Sequence, residues 1–207
     1  MLAPAANKPI KNVVFDMGGV LMTFDAMFFA QQYTTCDEDA QLLARAYFLR
    51  TEWALLDSGT ITPETMVRVA EASLPARLHP ALHACAAGWQ HHSQPITAVN
   101  ELAARLEQRG LNLYLLSNAS VEVDRQLEHC PAYPLMSGRV VSGFERLMKP
   151  DPAIYQLLCT RYGLDPATCL FVDDNANNCT GAQVAGMMAY RFDGDAAALE
   201  RAIERLL

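Results

Sequence analysis

Three short polar groups in this 207-residue chain each follow an apolar run, and their residue types suit phosphoryl chemistry. Asp16 follows Val13-Val14-Phe15 and precedes Met17-Gly18-Gly19-Val20-Leu21; Ser117-Asn118 closes Leu111 to Leu116; Asp173-Asp174-Asn175 closes Cys169-Leu170-Phe171-Val172. Lys149 stands before Pro150-Asp151-Pro152. Taken singly, each has a plain role: Asp16 caps a turn, Asp173-Asp174-Asn175 caps a helix, Lys149 is a solvated loop charge. Taken together they make a site. Three carboxylates brought within a few ångströms would raise one another's pKa unless a cation sat among them, and all-oxygen ligation with room for water suits Mg²⁺. Such a metal offsets the repulsion between an anionic nucleophile and an anionic phosphate. Lys149, the Ser117 hydroxyl and the Asn118 backbone N–H supply positive charge and donors for phosphate oxygens. Asp16 is then left to attack phosphorus and form an aspartyl-phosphate.

The elements that must position these residues follow from periodicity. Val13 to Phe15, Leu111 to Leu116 and Cys169 to Val172 read as buried parallel strands, with Met187 to Phe192 as a last strand and Arg139-Val140-Val141-Ser142 as a short one. No strand is expected from about 26 to 95. There Leu42 or Leu43, Ala46, Tyr47, Leu49, Arg50, Trp53 and Leu56 follow helical spacing, Asp57-Ser58-Gly59-Thr60 reads as a turn, and Thr62-Pro63-Glu64 starts another helix. Trp53, Trp89, His91 and His92 fall in this segment and read first as packing or surface residues, with contact to a substrate as the alternative. His79 and His83 have the spacing of metal ligands, but no acid or third histidine completes a set.

After Thr97, helix and strand alternate. Helices are expected from Val99 to Gly110, from Asn118 to about Cys130, from Asp151 to Tyr162, from Asn175 to about Gly186, with Gly181 and Ala182 packed closely on the sheet, and from Asp195 to Leu207. Alternation of this kind predicts an α/β fold: a parallel sheet with right-handed crossovers and helices on both faces. Ligands of such sheets bind beyond the carboxyl ends of the strands, where all three polar groups would lie.

Composition narrows the partners. A net charge of -7 argues against a nucleic-acid surface, because phosphate backbones are bound by clustered Lys and Arg. No apolar run approaches the roughly 20 residues that span a bilayer, and Met1 to Lys11 has no continuous apolar segment for export, so a cytoplasmic protein is expected. Six cysteines without a C-x-x-C pair suggest neither disulfides nor zinc; most read as small buried hydrophobes, with Cys179 near the proposed site.

The order Asp-x-Gly-Gly-Val, Ser-Asn, Lys-Pro and Asp-Asp-Asn, each in its place along the chain, resembles the haloacid dehalogenase superfamily. The resemblance implies a Rossmann-like α/β core from 1–25 and 96–207, and a small helical cap from 26–95 inserted behind the first strand. It implies Asp16 as nucleophile, Ser117, Asn118 and Lys149 as phosphate-binding residues, and Asp16, the Gly18 carbonyl, Asp173 and Asp174 as Mg²⁺ ligands. The expected activity is a Mg²⁺-dependent hydrolase, a phosphatase of a small phosphorylated metabolite. Leu56-Asp57-Ser58-Gly59-Thr60-Ile61-Thr62 also resembles a cap segment of the subgroup with bacterial α-glucose-1-phosphate phosphatase and the phosphatase domain of soluble epoxide hydrolases, which points to a sugar phosphate.

One position departs from that pattern. Phosphatases of the superfamily usually carry a second aspartate two residues after the nucleophile, where this chain has Gly18; an acid–base group is worth roughly 10²–10⁴ in rate. Asp25 is the nearest spare acid in sequence, and the substrate itself is another source of help. Two alternatives accompany the phosphatase: a dehalogenase in which Asp16 attacks carbon without a metal, and a binding protein that lost turnover with the second aspartate. No motif addresses the oligomeric state.

Overall fold

The computed structural model describes residues 8–207, so the reading of the leader up to Asn7 lies outside the described residues. Five parallel strands form the sheet: β1 (Asn12–Phe15), β2 (Asn112–Ser117), β3 (Met136–Val141), β4 (Cys169–Asp173) and β5 (Met188–Arg191). Their order is β3-β2-β1-β4-β5. The chain steps outward from β1 to β3 and then returns to the other side of β1, so the strand order reverses between β1 and β4. That reversal opens the crevice in which α/β sheets bind ligands. The Asp16 N–H donates to the Val172 carbonyl at 2.9 Å and locks the two polar ends side by side.

Successive strand residues face opposite sides and feed two cores. Val13, Phe15, Leu113, Leu115, Leu170 and Val172 pack with Leu102 and Leu106 of one helix and Leu199 and Ile203 of another. Val14, Tyr114, Leu116 and Phe171 pack with Ile154, Tyr155 and Leu158 on the far side. Between β1 and β2 run α1 (Ala26–Gln31), α2 (Asp37–Tyr47), α3 (Glu52–Asp57), α4 (Pro63–Glu71), α5 (His79–Gly88) and α6 (Thr97–Gln108). The first five enclose a third buried cluster of their own, among them Phe29, Leu43, Tyr47, Met66 and Leu82. The two passages between these helices and the sheet are tied together: Thr23 N–H donates to the Gln94 carbonyl at 2.8 Å, and the Ser93 hydroxyl donates to the Thr23 carbonyl at 2.7 Å.

After β2 come α7 (Asp124–Leu127) and, beyond β3, α8 (Ser142–Glu145), α9 (Pro152–Tyr162), α10 (Ala176–Val184) and α11 (Ala196–Glu204). Three expectations need correction. The helical spacing from Leu42 to Leu56 is two helices, because Phe48 and Leu49 both donate to the Ala44 carbonyl and end α2, leaving Leu49 exposed. The helix expected from Asn118 to Cys130 shrinks to the four residues of α7. Its first backbone groups are spent elsewhere: Ala119 N–H donates to the Ser142 hydroxyl and the Ala119 carbonyl accepts from Gly143 N–H, each at 3.0 Å. Strand β3 begins three residues before Arg139 and stops before Ser142, hidden in the sequence by Ser137 and Gly138. Gly138 is there for contact, since a Cβ on it would stand 2.2 Å from the Tyr162 ring.

Candidate active site

At the carboxyl ends of the strands, Asp16, Asp173 and Asp174 come together, each with an oxygen within 4.8 Å of the others'. This is the one such group of potential metal ligands among the described residues. Lys149 lies between two of them, 2.8 Å from Asp16 Oδ1 and 2.7 Å from Asp173 Oδ2, with its Nζ also donating to the Leu116 carbonyl at 3.0 Å. Lysine, Asp16 and Asp173 are all buried. The solvated loop charge that Lys149 could have been is excluded by this burial.

The neighbours of each group define its charge. Burial pushes the Asp16 carboxyl up to about 7; Lys149 opposes that rise and Asp173 adds to it. Burial alone would lower Lys149, but the two carboxylates overcome it and hold the ammonium above its ordinary value. Asp173 is held in place from its own loop and helix: Oδ1 accepts from Asn175 N–H at 2.8 Å, and Asn178 Nδ2 donates towards both oxygens at 3.1 and 3.0 Å. Asp174 is the exposed member, and burial of part of its carboxyl, followed by the charge of Asp173, raises its pKa. Its approach depends on Gly19, whose φ of +73° suits glycine and whose absent Cβ would stand 2.5 Å from Asp174 Oδ2.

Asn118 is used from both ends. Its side-chain amide donates to the Lys149 carbonyl and accepts from the Lys149 N–H, both at 2.9 Å, which pins the lysine-bearing loop to the end of β2. Pro150 is held in turn by Gly181 of α10, where a Cβ would meet the Pro150 carbonyl at 2.2 Å. Gly181, expected to pack on the sheet, packs on this loop instead, while Ala182 is buried in the core beside the sheet.

A cavity of about 290 Å³ opens over the group. From the sheet side it is lined by Asp16, Gly18, Gly19, Ser117, Asn118 and Asp174. From the other side come Phe24, Trp53, Asp57 and Trp89, with Ser120 and Gln126 at the margin. Among the described residues, no lysine, arginine or histidine lines it. The two tryptophans combine packing with a place at the site: each meets Phe24 at a centroid distance of 5.7 Å, Trp53 tilted and Trp89 edge-on, and both line the cavity.

Nothing in the sequence marks Phe24 as a site residue, and Asp57 stands there only as part of a turn and of the Leu56 to Thr62 cap segment. Asp57 had one signal: an acid as the last residue of a helix opposes the helix dipole. Asp25, the spare acid nearest in sequence, is elsewhere; its Oδ1 caps α1 by accepting from Met27 and Phe28 N–H at 3.0 Å each. Cys179 is buried, with burial pushing its thiol up to about 11, which makes it an unreactive hydrophobe. His79 and His83 do find an acid in the fold, since Glu71 lies 2.7 Å from His83 Nε2 and 3.9 Å from His79 Nδ1.

A protein-family model described as haloacid dehalogenase-like hydrolase matches residues 10–186. A phosphatase of Mycobacterium tuberculosis is 39% identical over 88 residues, 42% of this chain and 41% of that protein, so the match spans less than half of either. The sesquiterpene phosphatase of Aspergillus oryzae is 25% identical over 182 residues, covering 86% of this chain and 87% of that one. (S)-2-haloacid dehalogenase 1 of a Pseudomonas species is 28% identical over 201 residues, 89% of this chain and 85% of that protein. Among solved structures, a HAD family enzyme of Bacteroides thetaiotaomicron in complex with magnesium and inorganic phosphate superposes with a TM-score of 0.69 at 22% identity, over 92% of this chain and 98% of that one. With its family model matched over most of the chain and its acidic groups gathered at one sheet end, the chain belongs to the haloacid dehalogenase-like hydrolases.

Proposed function

We propose that this hydrolase is a Mg²⁺-dependent phosphatase of a small, phosphorylated metabolite, with Asp16 as nucleophile. The observation that carries the reading is the buried Asp16–Lys149–Asp173 triad with Asp174 beside it. A dehalogenase attacking carbon gains nothing from three carboxylates in one place, whereas a phosphatase uses them to hold a cation. The donor set fits Mg²⁺: hard oxygens, one of them on the exposed Asp174, at a site where Asp16 is costly to ionise unaided. Asp16, Asp174, Asp173 and the Gly18 carbonyl would hold the ion, which supplies positive charge against the phosphate oxygens.

The chain's own residues carry the rest. Asp16 attacks phosphorus and displaces the alcohol; water then attacks the aspartyl-phosphate and frees inorganic phosphate. Ser117 and the Asn118 backbone N–H donate to the phosphoryl oxygens as charge moves onto them. Lys149 keeps Asp16 aimed through its 2.8 Å contact and offsets the added negative charge. The helices of 26–95 act as a cap that closes the cavity to water. Phe24, Trp53 and Trp89 offer aromatic faces, which suit the apolar face of a sugar ring or another uncharged leaving group.

The two phosphatase relatives support this reading. The dehalogenase relative favours the second one, in which Asp16 attacks the carbon of a 2-haloacid. The deciding experiment is phosphate release from 4-nitrophenyl phosphate and α-glucose 1-phosphate with Mg²⁺ or EDTA, for the native chain and Asp16→Asn. Mg²⁺-dependent release that the substitution abolishes is expected. Halide release from a 2-haloacid that survives EDTA would replace the reading, and tight phosphate binding without turnover would make the chain a binding protein.

A further inference from the structure

Glycine at position 18 leaves the reaction without its usual proton donor, and the cavity itself offers one. The titratable side chains that line it are Asp16, Asp174 and Asp57. The first two are committed to attack and to the metal. Asp57 comes from α3, opposite the sheet, and faces the same space.

Its position is built rather than incidental. The Ser142 hydroxyl donates to the Asp57 carbonyl at 2.5 Å and accepts from the Ala119 N–H at 3.0 Å, so one side chain bridges the end of α3 to the loop that follows Ser117-Asn118. Two glycines let the backbones meet there. A Cβ on Gly59, where φ is +69°, would stand 2.4 Å from the Gly143 carbonyl, and one on Gly143 would stand 2.8 Å from the Ala119 carbonyl. Three segments, 57–59, 142–143 and 119–121, are thus stacked backbone on backbone. A carboxylate on a flexible surface turn would need no such clamp.

The protonation state also suits a donor. Burial pushes the Asp57 carboxyl up to about 8; the Trp53 indole and the Ser120 N–H oppose the rise, the charge of Asp16 adds to it, and Lys149 opposes it. Asp174 lines the cavity with it, and Glu145, on the α8 helix packed against this turn, is paired with Arg161 at 2.6 Å and adds no free charge. Asp57 sits as the last residue of α3, where the helix carbonyls disfavour its anion.

We propose that Asp57 is the general acid and base of this hydrolase, acting from the helical side in place of the acid missing at Gly18. The inference rests on the phosphatase reading above. As Asp16 bonds to phosphorus and the bond from phosphorus to the leaving oxygen breaks, the Asp57 proton passes to that oxygen. The Asp57 carboxylate then takes a proton from water as the water oxygen bonds to phosphorus and the Asp16–phosphorus bond breaks. Phosphate leaves with Asp57 protonated again.

Leaving-group dependence tests it. Native chain, Asp57→Asn and Asp57→Glu are compared with Mg²⁺ on 4-nitrophenyl phosphate, whose phenolate leaves unaided, and on 2-phenylethyl phosphate, whose alkoxide needs a proton. Asp57→Asn is expected to lose roughly 10²–10⁴-fold on the alkyl ester. On the aryl ester it should release one nitrophenolate per site in a fast burst and then stall, because the base for water is gone. Asp57→Glu should recover part of the alkyl rate. An equal loss on both esters without a burst, or no loss, overturns the assignment, and Asp57→Glu behaving as Asp57→Asn does the same for a variant that merely packs badly. A native chain inactive on both esters overturns the phosphatase reading and this inference with it.

Discussion

Replacing Lys149 by methionine removes one charge and leaves two buried carboxylates facing each other. Both ion pairs, at 2.8 and 2.7 Å, are lost, and so is the donor to the Leu116 carbonyl. Removing one partner from a buried pair costs about 3–5 kcal/mol, because the charge left behind stays desolvated. A chain of this size shifts its melting temperature by about 2–4 °C per kcal/mol, so the variant should melt about 6–20 °C lower near pH 8.

The deficit depends on pH in a stated direction. Burial already raises Asp16 from 3.8 to about 7 with Lys149 opposing the rise, so without the lysine its pKa climbs further. A carboxyl raised in the folded state contributes stability that is complete below its unfolded value and is lost as pH rises through its folded value. The variant therefore loses stability as pH rises from about 4 through a folded value above 7, and its deficit against the native chain widens above about pH 7, where Asp16 must ionise beside Asp173 with no cation. Scanning calorimetry in EDTA at both ends of that window measures it, and millimolar Mg²⁺ should return part of the loss at the upper end. A melting temperature equal to that of the native chain near pH 8, or a deficit that grows on acidification, would refute the electrostatic account of the triad.

Three further outcomes are expected. Gly19→Ala forces an L residue into φ +73° and a Cβ to within 2.5 Å of Asp174 Oδ2, so Mg²⁺ affinity in a titration should fall about tenfold or more; Gly163→Ala, at φ +65° in open space, should cost only about 1–2 kcal/mol of strain and leave affinity unchanged. Asp25→Asn should leave phosphate release unchanged, and Asp25→Ala should lower stability in urea by about 1 kcal/mol through loss of the α1 cap. Added Mg²⁺ should raise the native melting temperature more near pH 8 than near pH 5, since Asp16 with its pKa of about 7 must ionise to bind it.

Much of this protein can be read along the chain, for a local reason. A short apolar run ending in a polar residue announces both a buried strand and the residue at its mouth, which holds for Asp16 after Phe15, for Ser117 after Leu116 and for Asp173 after Val172. Capping residues did the same for helix starts, as with Thr62 and Asp151, whose side chains accept from Thr65 N–H and Ala153 N–H. Where local signals fail, long-range bonds take over: Ala119 looks helical in sequence but spends both its backbone groups on Ser142 and Gly143.

What the residues determined alone was the chemistry available: three acids, one lysine and a hydroxyl, each following an apolar run or leading a helix, with a glycine where a second acid would serve. Only the tertiary structure decided how they are used. The strand order set Asp16 beside Asp173, and burial turned Lys149 from a loop charge into the cation of a triad. The same folding brought Asp57 into the cavity across 41 positions from Asp16, because the turn after α3 stacks on backbone that lies far along the chain. Contacts between distant segments depend on how whole surfaces pack, and no spacing in a one-dimensional sequence records that.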